Sequence, residues 1–144
     1  MLSNTCKYAV RACIYLALNA DEDKKIGIKK IAEDLDIPSP FLGKILQLLA
    51  KNKILASTKG PNGGFSLGKS AKKITLMDIV DIIDGDDNFN SCIIGLKSCT
   101  HEEAHCPIHK DFQPIREQAK QLFMRQDIGE LAKSIKESHE TVVI

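Results

Sequence analysis

The chain has 144 residues, of which 43% are apolar and 27% charged, a composition that suits one compact domain and excludes a disordered chain. Its net charge of +1 conceals two unequal parts: residues 1–80 carry thirteen Lys and Arg against seven Asp and Glu, and residues 81–144 carry seven against twelve. A basic first part indicates contact with a polyanion, with an unevenly charged solvated surface as the alternative.

Three helices are predicted in the first third of the chain. Apolar residues recur at helical spacing over 3–19 and again over 28–35. Pro38 ends the second helix, and Ser39 is the expected N-cap of a third helix that ends near Lys51. Two short helices joined by a tight turn are typical of a helix-turn-helix, although any helical hairpin gives the same pattern.

A β-hairpin is predicted directly after the third helix. The stretch ILASTKGPNGGFSLGK consists of two short β-type runs around a tip that contains Asn62-Gly63. A hairpin in this position is the wing of a winged helix, and we expect most of the basic charge to lie around one surface. The lysines of the wing and of the two preceding helices are Lys53, Lys59, Lys69, Lys72 and Lys73, and Lys29, Lys30, Lys44 and Lys51.

A fourth helix is predicted after the wing, followed by a long segment without a pattern. Thr75 is the expected N-cap, Asp78 completes a variant capping box, and Gly85 ends the helix. Residues 86–105 show no convincing periodicity. A structureless segment of that length in a compact domain is usually functional or disordered, and its cysteines favour function.

Two further helices are predicted at the carboxyl end. The first begins at Pro107 and carries apolar residues at steps of three and four, and Asp127 is the expected cap of the second. A long amphipathic helix beyond a winged helix predicts pairing with a second copy of the chain, with packing against the first helix as the alternative. The apolar positions are Phe112, Ile115, Ala119, Leu122 and Phe123.

We expect a cytoplasmic protein without a membrane partner. No apolar run approaches the roughly 18–20 residues of a membrane span, and the first residues offer no signal-peptide cleavage site. In a reducing cytosol, five cysteines predict metal ligands or redox groups rather than disulfides. Cys6 and Cys13, seven residues apart on the first helix, are expected to be buried core residues.

Residues 92–109 read CIIGLKSCTHEEAHCPIH and contain three of the five cysteines and three of the four histidines. The C-x6-C-x6-C-x2-H spacing lacks the close cysteine pairs of zinc fingers and suits a larger group such as an iron–sulfur cluster. The last histidine ranks ahead of His101 and His105 because it follows the third cysteine at helical spacing. Zinc, redox thiols or no function remain open from spacing alone. The candidate ligands are Cys92, Cys99, Cys106 and His109.

The whole chain resembles the bacterial family of winged-helix transcription regulators that includes IscR, NsrR and CymR. Three blocks carry the resemblance: KYAVRACIYLAL, IPSPFLGKILQLLAKNKILASTKGPNGGFSL and ITLMDIVDIIDG. They follow in order over most of residues 1–85, and the tip KGPNGGF is similar to the most characteristic segment of the family. The resemblance implies a dimeric transcription regulator, not an enzyme, whose long helix pairs the subunits.

The resemblance also implies a cofactor. Members with three loop cysteines bind an iron–sulfur cluster, and IscR-like members complete the coordination of a 2Fe–2S cluster with a histidine just after the third cysteine. By this resemblance the four candidate ligands hold a 2Fe–2S cluster, which we expect to be lost from samples isolated in air. NsrR-like members use an acidic residue near the start of the first helix, where Lys7 stands here, and this difference favours the histidine.

We predict a mainly α-helical protein with a small β-hairpin, organised as a winged helix-turn-helix DNA-binding domain over 1–85, a cluster-binding loop over 86–110, and a dimerisation helix and carboxyl-terminal helix over 111–144. A dimer would place two reading helices in successive major grooves, roughly 34–36 Å apart, on a near-palindromic double-stranded operator. The candidate DNA-binding residues are Lys29, Ser39, Phe41, Lys44, Gln47, Lys51, Lys59, Gly63 and Gly64.

Two departures limit what the resemblance implies about the operator. IscR-like regulators carry a glutamate on the reading helix for base discrimination, whereas this chain has Gly43 followed by Lys44. Lys59 replaces the arginine of the wing and lacks its planar fork. The operator preference of IscR-like members is therefore not transferred to this chain.

Two other classes of protein remain open. A zinc- or thiol-switched regulator would keep the same DNA-binding head without a cluster. A small iron–sulfur or thiol oxidoreductase would turn over a substrate and ignore DNA. Against the enzyme, the sequence has no phosphate-binding glycine loop, no nucleophile elbow and no thioredoxin-like C-x-x-C motif.

Overall fold

The computed structural model describes residues 2–85, 87–96 and 106–139. The predicted fold class is confirmed, because the described chain is mainly helical and has one two-stranded antiparallel hairpin. The elements in chain order are α1 Asn4–Asn19, α2 Ile28–Leu35, α3 Ser39–Lys51, β1 Leu55–Thr58, β2 Gly64–Leu67, a 3₁₀ turn Ala71–Lys73, α4 Leu76–Ile83, α5 Asp87–Asn90, α6 His109–Arg125 and α7 Ile128–Ser138.

α1 lies at the centre of the fold. It packs against α7, α4, α3 and β2, and its inner face is fully buried. Four of the five most buried side chains on this face are small, which allows the neighbouring elements to approach the α1 backbone closely. Cys6 and Cys13 are among them, as predicted. The five side chains are Cys6, Ala9, Ala12, Cys13 and Leu16.

The helix-turn-helix has one difference from its prediction. Pro38, and not Ser39, is the N-cap of α3, and its carbonyl accepts hydrogen bonds from the N–H groups of Phe41 and Leu42 at 3.1 and 3.0 Å. Proline is tolerated at each of these first positions because the N–H groups of the first helical turn have no intrahelical partner. The helix therefore begins one residue earlier than Pro40 alone indicates.

The wing is confirmed as an antiparallel hairpin in which Thr58 lies opposite Gly64. Its positive φ angles fall at Gly60 and Gly64 and not at the Asn62-Gly63 pair. A two-residue turn at that pair would require positive φ there. The chain instead turns through the longer loop 59–63.

The second wing strand is attached to the segment before α2. Ile26 and Phe65 exchange two backbone hydrogen bonds of 3.0 and 2.8 Å. At Gly64, where φ is +148°, an added Cβ would overlap the backbone carbonyl of Ile26 and lie 2.8 Å from the nitrogen of Gly27. Glycine at this position is therefore required by the folded chain itself.

The caps of α4 and α7 agree with the prediction and lie side by side. Thr75 and Asp78 form the reciprocal capping box of α4, and the side chain of Asp127 accepts a hydrogen bond from the N–H of Glu130 at the start of α7. Thr75 and Asp127 also form an isolated antiparallel bridge. This bridge fixes the start of α7 against the start of α4.

The segment before α6 differs from the prediction at both ends. A short helix, α5, occupies part of the segment that shows no periodicity, and its Phe89 packs edge to face on Phe123 of α6 with ring centroids 5.5 Å apart. α6 begins at His109 rather than Pro107, because residues 107–108 form a turn closed by the hydrogen bond from the His109 N–H to the Cys106 carbonyl at 3.0 Å.

α7 packs on α1 and on the 3₁₀ turn, so the last helix shares the core of the DNA-binding head. The domain boundaries at 86 and 111 stay predictions. Within the three described ranges, no helix combines the length and the apolar character needed to cross a membrane.

We expect the change Gly64→Ala to lower the free energy of unfolding by about 2 kcal/mol or more, because it combines a strained backbone angle with an overlap against Ile26. Urea denaturation followed by circular dichroism measures this loss. Gly27→Ser is the matched control, since no atom lies within 4 Å of a Cβ there and serine is a good N-cap for α2. A Gly64→Ala protein as stable as the control would refute the close approach.

Candidate DNA interface and cysteine–histidine site

The outer face of α3 is the exposed part of the helix-turn-helix. Its inner residues, among them Leu42 and Leu46, are buried, whereas Lys44 and Gln47 are exposed. Gly43 faces α2, where an added Cβ would lie 2.9 Å from Cδ1 of Ile28. The glycine therefore serves the contact between the two helices, and Lys44 is the residue that projects from the outer face.

Four of the predicted DNA-binding residues meet in one groove between the end of α3 and the wing. The groove has a volume of about 510 Å³ and is also lined by the hydroxyl-bearing residues Ser57 and Thr58. The lysines and hydroxyls give it hydrogen-bond donors suited to phosphate oxygens. The predicted residues that line it are Gln47, Lys51, Lys59 and Gly64.

The other predicted DNA-binding residues lie outside this groove. Lys29 is exposed on α2, and Ser39 is half-buried at the amino end of α3. Phe41 is partly exposed and packs edge to face on Tyr8 of α1, with ring centroids 5.7 Å apart. Gly63 closes the wing loop, donating its N–H to the carbonyl of Gly60 at 2.9 Å.

The exposed lysines of this surface keep their positive charge available. Among the described residues the ion pairs are Lys30–Asp34, Lys69–Asp78 and Lys133–Glu137, and none involves a predicted DNA-binding lysine. Lys30 and the hydroxyl of Tyr15 both donate to the Asp34 carboxylate, and these hydrogen bonds lower the pKa of Asp34. Lys30 is thus engaged with Asp34 of its own helix.

Three of the four candidate metal ligands fall in the described ranges, and Cys99 lies outside them. Cys92 is partly buried and follows α5, Cys106 is buried immediately before α6, and His109 is the first residue of α6. Within the described ranges, no group of three His, Cys, Asp or Glu side chains is assembled that could hold a metal ion. The ligand set stays a prediction.

The residues present nevertheless fit an anionic metal site in their chemistry. Three thiols and an imidazole suit zinc or an iron–sulfur cluster. The structure adds a buried cation, Arg116 of α6, whose Nη2 donates to the carbonyl of Ser91 at 2.8 Å, one residue before Cys92. The sequence analysis missed Arg116. Arg116 lies at helical spacing from the apolar residues Phe112 and Phe123, and this spacing could have indicated that its side chain is buried.

The two cysteines of α1 are excluded from the ligand set. Both are fully buried, and burial raises the pKa of each thiol to about 12. For Cys6, part of this rise comes from Asp84, through its negative charge and a hydrogen bond. A thiol that does not ionise near neutral pH is a poor metal ligand and a poor nucleophile. These cysteines serve as small core residues.

Comparison with known proteins identifies close relatives over the whole chain. A protein of Aquifex aeolicus, named as an HTH-type transcriptional regulator, is 34% identical over 140 residues, which are 96% of this chain and 95% of the relative. The HTH-type transcriptional regulator IscR of Klebsiella pneumoniae is 27% identical over 133 residues, covering 92% of this chain and 80% of the relative. Both relatives are named as HTH-type transcriptional regulators.

Two solved structures share the fold to nearly the same degree. CymR, the global cysteine regulator of B. subtilis, has a TM-score of 0.76 at 21% identity, with 93% of this chain and 97% of that chain covered. IscR of T. potens has a TM-score of 0.75 at 20% identity, with 96% and 90% covered.

The family model described as Rrf2, iron-dependent transcriptional regulator, matches residues 2–134. Together with the winged helix and the relatives above, this match shows that the chain belongs to the Rrf2 family of DNA-binding transcriptional regulators.

Proposed function

We propose that this protein is a homodimeric transcription regulator whose operator binding is controlled by an iron–sulfur cluster, of the 2Fe–2S type. The observation that carries the proposal is the position of the cysteine–histidine segment between two surfaces. This segment, residues 92–109, comes after α4 of the basic winged-helix head and the short helix α5, and it ends at the first residue of α6. The ligands we assign are Cys92, Cys99, Cys106 and His109.

The basic surface supports binding to a DNA duplex. The amino end of α3 is the positive end of the helix dipole, which favours phosphate. Lys44 lies one turn further along the exposed face, and Lys51 and Lys59 flank the groove between α3 and the wing. We propose that α3 enters the major groove while the wing lies along the sugar-phosphate backbone or the minor groove.

The exposed apolar side chains of α6 support a homodimer. Ile115 and Leu122 of α6 stand seven residues apart, Ile108 precedes the helix at the same spacing, and Ile115 is 56% exposed. A row of apolar residues at this spacing forms a straight seam along a helix and is typical of helices that pair with each other. A second copy of the chain would bury the same row on both subunits.

A chain of contacts connects the end of α4, which precedes the cysteine–histidine segment, to the reading helix α3. The carboxylate of Asp84, at the end of α4, accepts hydrogen bonds from the backbone N–H and the hydroxyl of Ser3, and Ser3 is the N-cap of α1. One turn of α1 further along the chain, Tyr8 packs on Phe41 of α3. On the proposed function, a displacement at the end of α4 would reach α3 through α1.

The cluster, when bound, would supply a link between the two ends of the segment that is sensitive to oxidation state. The residues of this chain fix where the link begins and ends. Cys92 follows α5, which packs on α6, and Cys106 is buried immediately before α6. Holding Cys92 and Cys106 on one group would set the position of α6, and with it the spacing of the two heads.

A zinc- or thiol-switched regulator with the same head is the second candidate function. The fold resembles CymR and IscR almost equally, and one CymR structure of Staphylococcus aureus that also shares the fold is an oxidized form. The described residues assemble no group of three ligands. Metal analysis separates this candidate from the cluster.

We expect Lys44→Gln and Lys59→Gln each to weaken binding to a duplex selected by the wild-type protein from random DNA. If each lysine neutralises one phosphate, the loss is roughly tenfold at 0.1 M salt, and the slope of log affinity against log salt falls by about 0.9. Fluorescence anisotropy over a salt series measures both. Lys136→Gln, an exposed lysine of α7, is the control. An unchanged slope in the two variants would disprove the proposed contact surface.

We expect Ile115→Glu combined with Leu122→Glu to convert the dimer to a monomer, because the buried seam would receive four carboxylates without partners. Sedimentation equilibrium measures the mass. Met124→Glu introduces the same charge at an exposed apolar position on the opposite side of α6 and is expected to leave the dimer intact. A doubly substituted protein that remains dimeric at micromolar concentration would show that α6 does not pair the subunits through this seam.

Protein purified without oxygen is expected to contain iron and acid-labile sulfide in matching amounts. Both should be lost in Cys99→Ala and in Cys106→Ala, and retained in the control Cys13→Ala, whose thiol is buried away from the segment. Elemental analysis and the visible spectrum are the measurements. Zinc, or no metal even after anaerobic reconstitution, would overturn the cluster and favour the second candidate, leaving the DNA-binding head unaffected.

A further inference from the structure

Arg116 is a buried cation on α6. It is 7% exposed, and its guanidinium lies over the ring of Phe112 at 5.3 Å from the ring centroid. Nη2 donates to the carbonyl of Ser91 at 2.8 Å, and Nη1 contacts Oε1 of Gln113 at 3.4 Å. These three contacts hold the guanidinium in one position and keep it away from solvent.

The side chain of Arg116 runs toward the beginning of the cysteine–histidine segment and toward its end. Its contacts with Phe112 and Gln113, four and three residues earlier, show that it points to the amino end of α6, as helical side chains do. His109 lies seven residues before Arg116, which is about two turns away on the same face. The bond to Ser91 reaches the residue before Cys92. The guanidinium is therefore fixed between α6 and the residue that precedes Cys92.

The charge of Arg116 has no described counter-ion. Among the described residues no carboxylate lies within ion-pair distance of it. Burying a guanidinium is costly unless an anion compensates it. Three thiolates with a doubly positive zinc ion, or with an oxidised 2Fe–2S core of the same charge, give a site of net charge −1. The same cysteines as thiols or as a disulfide are neutral.

We propose that Arg116 is a positioning residue of the cysteine–histidine site, holding the Cys92 end of the segment on α6 and supplying the buried positive charge that stabilises the metal-loaded, anionic form of the site. This inference rests on the proposed function only in requiring that the segment bind a metal. It holds for zinc and for an iron–sulfur cluster alike, because both sites carry the same net charge.

The test measures the affinity of the full-length, reduced protein for Co²⁺ by competition with a chelator, followed through the thiolate-to-cobalt charge-transfer absorption. We expect Arg116→Gln to weaken Co²⁺ binding by about 10- to 100-fold, the range found when groups that orient metal ligands are removed. Arg116→Lys keeps the charge and should recover most of the loss. Arg125→Gln removes an exposed arginine from the other end of α6 and should bind as the wild type does.

The outcomes separate this inference from the proposed function. A wild-type protein without a thiolate-to-cobalt band overturns this inference, whereas the cluster itself is decided by the iron and sulfide analysis. A normal band with Arg116→Gln binding within about twofold of the wild type overturns the role of Arg116 alone and leaves the metal site standing. Equal losses in the Gln and Lys variants contradict the role of charge. If the Gln variant does not fold, the Lys variant decides: binding within threefold of the wild type supports the inference, and a larger loss refutes it.

Discussion

The packing of small side chains on one face of α1 is the constraint on which the rest of the structure depends. Ala9, Ala12 and the two cysteines let α3, α4 and α7 approach the same helix, so the reading head and the carboxyl-terminal helix share one core. A larger residue at any of these fully buried positions would overpack the core. The burial that makes the cysteines good spacers also holds their pKa values near 12 and removes them from metal or redox chemistry.

The shape of the DNA-binding surface also depends on close approach between backbone segments. The wing is fixed to the head by the backbone bridge between Ile26 and Phe65, and the glycine beside it permits this approach. Gly43 does the same between α2 and α3. The groove that gathers Lys51 and Lys59 is therefore set by backbone contacts at its base rather than by the side chains that line it. Those side chains are free to serve recognition.

The features that sequence analysis predicted are those decided within a few residues. The capping box at Thr75 and the cap at Asp127 satisfy backbone groups three residues away, and the helix-turn-helix pattern needs only local periodicity.

Contacts between residues far apart in the chain were not predictable in this way. The apolar stripe assigned to α6 included Ile115, which is exposed, because periodicity selects apolar residues and does not reveal which face the chain covers. Arg116 was missed for the same reason: a charge at an inner position looks like an interruption of the pattern. The spacing of the cysteines identified candidate ligands, but the arrangement of a ligand set depends on the fold around it.

The two faces of α6 show how one segment can act on two partners. Ile115 lies on the exposed face that we assign to the second subunit, and its neighbour Arg116 lies on the face that packs against the head and the start of the cysteine segment. Adjacent residues of a helix cannot move independently, because the backbone hydrogen bonds keep them in register. On the proposed function, a change in what the segment binds would shift α6 as a unit, altering the contact with the head on one side and the pairing with the second copy on the other. A change of loop state in each subunit would then alter the distance between the two reading helices without a separate hinge.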